Sequence, residues 1–230
     1  MLKNSLAKIV LFLKGSLKNN FMDLRYQIDN IFPTPIYTST VNVGEDVLAE
    51  IQNLNYSRAQ EEADKVLISE EQQILNDTFF VGYKSEIDKH VHNFYYNVLG
   101  FSKQNYLEMV NSWVVKSQPN NQSAYHLHKN SIFSGVWYIS VPENSGNISF
   151  TTNNVYDKEI IPTFMPKIET VNEYNTRLCV FSIQKSILIL FPSILNHKVE
   201  LNNSKEPRIS IAFNYFLKGK FDYPTAVLSI

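Results

Sequence analysis

From about Leu107 onward the hydrophobic period of this chain changes from 3.6 residues to 2, and that switch restricts the fold more than any other feature. Short alternating runs then follow one another: Met109–Ser117, Ser123–Leu127, Phe133–Val141, Asn147–Thr151, Leu178–Ser182, Ser186–Phe191, Lys198–Leu201 and Arg208–Leu217. Turn residues separate them at 119–121, 142–146 and 202–207, where Pro, Asn, Ser and Gly cluster. Before the switch the pattern is helical, over Glu45–Leu54, Lys65–Asn76 and Lys84–Leu99. The last of these is the clearest. Ile87, Val91, Phe94, Tyr95, Val98 and Leu99 make one apolar stripe, Ser85 is placed to cap it and Gly100 to end it. Short strands after a helical section predict an α+β chain. The natural closure for the strands is a double-stranded β-helix, or jelly roll, with the helices packed on one sheet.

The stretch 31–37 carries Pro33 and Pro35 between apolar residues and reads as an extended opening strand. Residues 1–21 space Leu6, Ile9, Val10, Leu13 and Leu17 helically among lysines. They read as an amino-terminal extension or helix ahead of a single domain over 22–230. A signal peptide and a membrane-surface helix are the alternatives, although the apolar core from Ile9 to Leu13 is short for a signal. No repeat or low-complexity linker divides the rest.

A hydrophobic fraction of 44% over 230 residues is enough for a sizeable core. A formal net charge of -1 gives no basic field for nucleic acid, and no apolar run approaches the ~20 residues that span a bilayer. The lone cysteine, Cys179, excludes a disulfide framework and a Cys-based zinc site. It makes a reducing, cytoplasmic setting the expectation.

His90 and His92 lie in the helical half, two apart, and read as surface or packing residues. The other three histidines fall among the strands. His126 and His128 are two apart, which in a regular strand puts both rings on one face with Leu127 on the other. His197 lies between the runs ending at Phe191 and starting at Lys198. Strands distant in sequence are neighbours in such a barrel, so His197 can meet the pair. Three imidazoles arranged this way can hold a first-row transition metal with positions left open. The bland alternative is three unrelated polar histidines.

Only Arg25, Arg58, Arg177 and Arg208 among 21 basic residues are arginine, so each stands out. Arg208 shares a strand face with Ser210, while Ile209, Ile211 and Phe213 share the other. A guanidinium on a barrel strand suits a carboxylate clamp, with Ser210 donating a second hydrogen bond. A strand-end pairing with Glu206 is the alternative.

Taken in order, Trp113, His126-x-His128, the run Ser134 to Tyr138, the run Phe191 to Ser193, His197, Arg208-x-Ser210 and the pair Phe213 and Asn214 resemble the 2-oxoglutarate/Fe(II) oxygenases, in the superfamily that includes prolyl hydroxylases. The Phe32–Tyr37 opening is also similar, and the resemblance runs from about residue 30 to 220. It implies the double-stranded β-helix, and Fe(II), 2-oxoglutarate and O2 as cofactor and co-substrates. It further implies a small-molecule or peptide substrate, hydroxylated with release of succinate and CO2. Carried over by position, His126 and His197 are the first and distal iron ligands. Arg208 with Ser210 binds the far carboxylate of 2-oxoglutarate, and Tyr138 matches a tyrosine that hydrogen-bonds it. Trp113 and Tyr125 either line the pocket or pack.

One position departs from the superfamily pattern, which has an acid where this chain has His128. Three neutral imidazoles would leave Fe(II) its full charge. His128 is the expected third ligand, with Asp157 or Glu159 from the following loop, or water, as the alternatives. The long segment 152–176 is expected to lie over the barrel mouth and govern substrate choice. Two readings from other classes stand beside this one: a cupin-like metalloenzyme without 2-oxoglutarate, and a non-catalytic jelly-roll module.

Overall fold

The computed structural model describes residues 27–30, 33–58, 66–151, 167–223 and 226–229. Residues 1–21 and most of the segment 152–176 expected to lie over the barrel mouth, with Asp157 and Glu159, lie outside the described residues. In chain order the elements are β1 (Tyr37–Thr40), α1 (Val47–Gln52), β2 (Tyr56–Arg58), β3 (Leu67–Ser69), α2 (Val81–His92), β4 (Asn105–Ser117), β5 (Phe133–Ser140), β6 (Ile148–Thr151), β7 (Leu178–Phe181), β8 (Ile187–Pro192), β9 (Asn196–Val199), β10 (Arg208–Tyr223) and β11 (Ala226–Ser229). A large antiparallel sheet runs β1-β8-β5-β10-β4-β3-β2, with β11 pairing β10 at one end. A small sheet runs β7-β6-β9. This is the double-stranded β-helix, and the α+β expectation holds.

The large sheet is buried on both faces at its centre, for two different reasons. Outward, Trp137, Ile139, Leu188, Leu190, Ile211 and Phe213 join Ile51, Ile87, Val91 and Phe94 of the helical layer in one core. Polar anchors fix the dock. Trp137 Nε1 donates to the Val41 carbonyl at 2.8 Å, and the Tyr215 hydroxyl donates to the Asp88 carboxylate. Inward, Val136, Tyr138, Ile189 and Phe191 meet Ile148 and Phe150 of the small sheet in a second core. The period-2 alternation of β5 and β10 sorts these two sets. Gly135 is required on the outward face, where an added Cβ would lie 2.3 Å from the Phe213 ring.

Several local expectations are corrected. The helix expected over Lys65–Asn76 is β3 followed by a 3-10 turn at Ile74–Asn76. Leu67 and Ile68 pair with Lys116 and Val115, and the Ser69 hydroxyl takes the Val114 N–H at 2.9 Å. Tertiary pairing to the edge of β4 overrides the apolar spacing. Helix α2 starts before Ser85, so Ser85 caps nothing, and the turns that follow it, Asn93–Val98, have π geometry before Gly100 at φ 72°. His90 is the packing histidine expected, its Nδ1 2.9 Å from the Tyr37 hydroxyl. The opening strand begins only at Tyr37, past both prolines, where free N–H groups can pair with β8. His197 lies inside β9, not before it.

The remaining correction bears on the site. Ser123–Leu127 is not a regular strand; only His126 bridges, opposite His197. The Ser123 N–H donates to the Val199 carbonyl at 3.1 Å, while His126 and His197 exchange both backbone bonds at 2.9 Å. Three steps on one side therefore face two on the other. The extra residue breaks the ladder, as a bulge does.

Candidate metal centre

His126, His128 and His197 converge beside Phe150 and Phe191 of the inner core. Their ligand atoms all lie within 4.8 Å of one another, near enough to share one cation. The ring centroids of His126 and His197 are 4.4 Å apart, and that of His128 is 5.2 Å from each. No other group of three or more such side chains occurs among the described residues.

The rings present lone pairs for a definable reason. His126 Nδ1 lies 2.9 Å from the Ala124 carbonyl, and His197 Nδ1 lies 2.9 Å from the Leu195 carbonyl. A carbonyl can only accept, so each Nδ1 carries the proton and each Nε2 is left with its lone pair. Burial, then the neighbouring His126 ring, pushes His197 down to about 3 and His128 to about 4. Both are neutral bases near pH 7, as a metal ligand must be. Phe191, Phe150 and Trp113 wall the cluster: Phe191 and Phe150 stand 4.6 and 6.0 Å from the His197 ring, Trp113 5.9 Å from that of His128. Tyr125 instead turns outward, with Lys198 Nζ 4.9 Å over its ring, so it does not line the site.

Arg208, Ser210 and Tyr138 come together on the inner face of the large sheet. Ser210 pairs directly with Tyr138 across β10 and β5, and the ladder slips by one residue between Ser210 and Ile209. Arg208 is 3% exposed. It is not turned toward Glu206: its Nη1 donates to the Ser145 carbonyl, and more weakly to the Glu200 carbonyl at 3.4 Å. The Tyr138 hydroxyl is buried with no hydrogen-bond partner, and its interaction with Arg208 partly offsets the rise that burial imposes on its pKa. The Ser145 hydroxyl, beside the carbonyl that takes Arg208, is also unpartnered. Buried orphans of this kind cost about 1–3 kcal/mol each, so they mark a place built for an acceptor. A carboxylate fits a guanidinium and a phenol O–H.

One group was not legible in advance as a functional unit. Asn111, Asn214, Ser134 and Ser193 form a hydrogen-bonded chain across the inner face, three of them buried. Its signal is polar residues recurring at alternate inward positions of otherwise apolar strands.

Residues 111–214 match the family model described as "Putative 2OG-Fe(II) oxygenase". No curated protein is matched in sequence. Among solved structures, the fold is similar to a prolyl-4-hydroxylase from Pseudomonas putida, with TM-score 0.52 and 13% identity over 79% of this chain and 92% of that one. It is also similar to SnoN, a non-heme alpha-ketoglutarate-dependent epimerase of nogalamycin biosynthesis, with TM-score 0.56 and 11% identity over 80% and 78%. A third likeness is to HygX from Streptomyces hygroscopicus, bound to nickel, 2-oxoglutarate and hygromycin B, with TM-score 0.52 and 10% identity over 80% and 83%. At such identities these structures speak to fold, and the family model speaks to the strands that carry the site. The stretch 111–214, which matches the 2OG-Fe(II) oxygenase model, holds all three clustered histidines together with Arg208.

Proposed function

We propose that this protein is a 2-oxoglutarate- and Fe(II)-dependent dioxygenase that hydroxylates a small-molecule or peptide substrate, releasing succinate and CO2. His126, His128 and His197 would hold the iron, the first and last through the Nε2 atoms that their backbone-bonded Nδ1–H groups leave free. Arg208, Ser210 and Tyr138 would hold the far carboxylate of 2-oxoglutarate. The observation that carries the reading is the pairing of two sites in one barrel: a three-nitrogen cluster, and a buried guanidinium beside a hydroxyl with nothing to bond.

When bound, the iron supplies the O2 activation and the oxidation that the side chains cannot perform. The chain orients and shields. Arg208 would fix one end of the co-substrate, and a site of imidazoles without a carboxylate would leave the metal's positive charge uncompensated, which favours a dianionic co-substrate. Phe150 and Phe191 cover the His197 side of the cluster, and Trp113 stands beside the His128 ring. The fold alone does not select hydroxylation, since a structural neighbour is an epimerase.

The test is succinate release from 2-oxoglutarate by the purified protein, with and without Fe(II). It is expected to require Fe(II) and to vanish in His126→Ala. Fe(II)-independent release, or full activity in His126→Ala, refutes the assignment.

A further inference from the structure

The three imidazoles are not held alike. His126 and His197 each have a ring N–H anchored on a carbonyl, and their backbones exchange two hydrogen bonds. Among the described residues no hydrogen bond reaches the His128 ring. Its segment is irregular, and its backbone N–H is held by the Ser193 carbonyl at 2.9 Å. Whatever fixes Ser193 therefore fixes His128.

Ser193 is fully buried, at the turn after β8. Its N–H donates to the Ile132 carbonyl at 3.0 Å, and its hydroxyl lies 2.9 Å from that of Ser134. Ser134 donates to Asn214 Oδ1 at 2.6 Å, and Asn214 Nδ2 donates to Asn111 Oδ1 at 2.9 Å. The ladder sets these residues side by side: Asn111 opposite Asn214, and Asn214 opposite Ser134. One polar row thus crosses β4, β10 and β5 and ends under the His128 attachment point. Apolar residues would fill these positions at lower desolvation cost, whereas a satisfied polar network in a low-dielectric interior holds one geometry rigidly.

We propose that Ser134 and Asn214 are positioning residues for His128, acting through Ser193, so that this row sets the strength and symmetry of the three-imidazole site. The proposal rests on the metal-binding reading above.

Co(II) is the probe, titrated into the full-length protein and followed by its visible absorption. Ser134→Ala is expected to bind Co(II) about 10-fold more weakly, the usual cost of losing an outer partner of a ligand, with bands displaced toward those of His128→Ala. Ser134→Thr, which keeps the hydroxyl, restores the affinity. Asn111→Ala, at the half-exposed end of the row, shows a smaller loss and serves if the buried variants fail to fold. In the His128→Ala background, Ser134→Ala adds nothing, because the ring it positions is gone. Unchanged Co(II) affinity in folded Ser134→Ala, or an equal loss with and without His128, overturns the positioning role while leaving the metal site standing. A wild-type protein that takes up no Co(II), or a His126→Ala variant that binds it equally well, overturns the metal reading and this inference together.

Discussion

The two halves of the candidate site are built by opposite means. Arg208, Ser210 and Tyr138 sit on β10 and β5, central strands hydrogen-bonded on both sides and buried on both faces. His126 and His128 sit on a segment with a broken ladder, and His197 on the four-residue strand β9. The arginine end draws its geometry from the sheet. The histidine end draws it from single bonds: two ring N–H groups on carbonyls, one backbone exchange, and one N–H on Ser193. A carboxylate pocket at the arginine end would thus be rigid, while the three candidate metal ligands ride on looser chain.

The sharpest way to break this comparison is to remove one group from each end. His197→Ala deletes the most buried of the three imidazoles and is expected to abolish metal uptake and Fe(II)-dependent succinate release together. Arg208→Ala is expected to leave metal uptake intact and to raise the 2-oxoglutarate requirement between about tenfold and a hundredfold, the range for a hydrogen-bonded charged partner. Arg208→Lys keeps the charge but loses the planar fork, so it should fall between wild type and alanine. Metal titration and succinate release at varied 2-oxoglutarate check both. Loss of metal binding in a folded Arg208→Ala protein would show that the two ends are not separable.

Two glycines sharpen the same division with a smaller effect. Gly146 has φ 82°, and an added Cβ would lie 2.7 Å from the Leu201 carbonyl oxygen and 2.8 Å from that of Glu200. It shapes the turn whose Ser145 carbonyl takes Arg208, and Glu200 supplies the second carbonyl. Gly146→Ala should cost about 1–3 kcal/mol and also weaken 2-oxoglutarate binding. Gly135→Ala presses on Phe213 and Leu190 in the outward core. It should cost a similar amount with no change in the 2-oxoglutarate requirement of the folded fraction. Denaturant unfolding with parallel kinetics separates the two.

Legibility in the sequence followed the same line. The inward set on β5 and β10 could be placed by counting in twos, because fully paired strands keep their period. His126 and His128 could be picked out as a pair, but the regular strand expected beneath them does not exist. Their rings meet because His126 bridges His197 and His128 hangs on Ser193. Long-range bonds of that kind leave no local pattern. The strand at Leu67–Ser69 looks helical in sequence for a related reason, since its pairing partner lies in β4. The row from Asn111 to Ser193 was hidden by composition: in a chain rich in asparagine and serine, polar residues at alternate positions look like ordinary strand surface. Counting in twos puts Ser134 and Asn214 on the inward face, but only the folded packing shows them buried and bonded to one another.

Acid should also distinguish the two ends. His197 and His128 are held near 3 and 4 in the folded chain by burial and by the His126 ring, against about 6.5 when unfolded. Above pH 6.5 both states carry neutral rings, and these groups add no pH dependence. Below it the unfolded chain takes up protons that the folded chain refuses. Stability present at neutral pH is therefore lost as pH falls from about 6.5 toward 4, at up to about 1.4 kcal/mol per pH unit for each ring. Nothing comparable arises at the other end, because a guanidinium stays charged and burial moves the Tyr138 phenol further from neutrality. The metal-free protein should thus lose thermal stability between pH 7 and 5, and His197→Gln should flatten that slope while Tyr138→Phe leaves it unchanged. An identical slope in wild type and His197→Gln would mean that His197 protonates freely in the fold, and that the histidine end is open to water rather than sealed by Phe150 and Phe191.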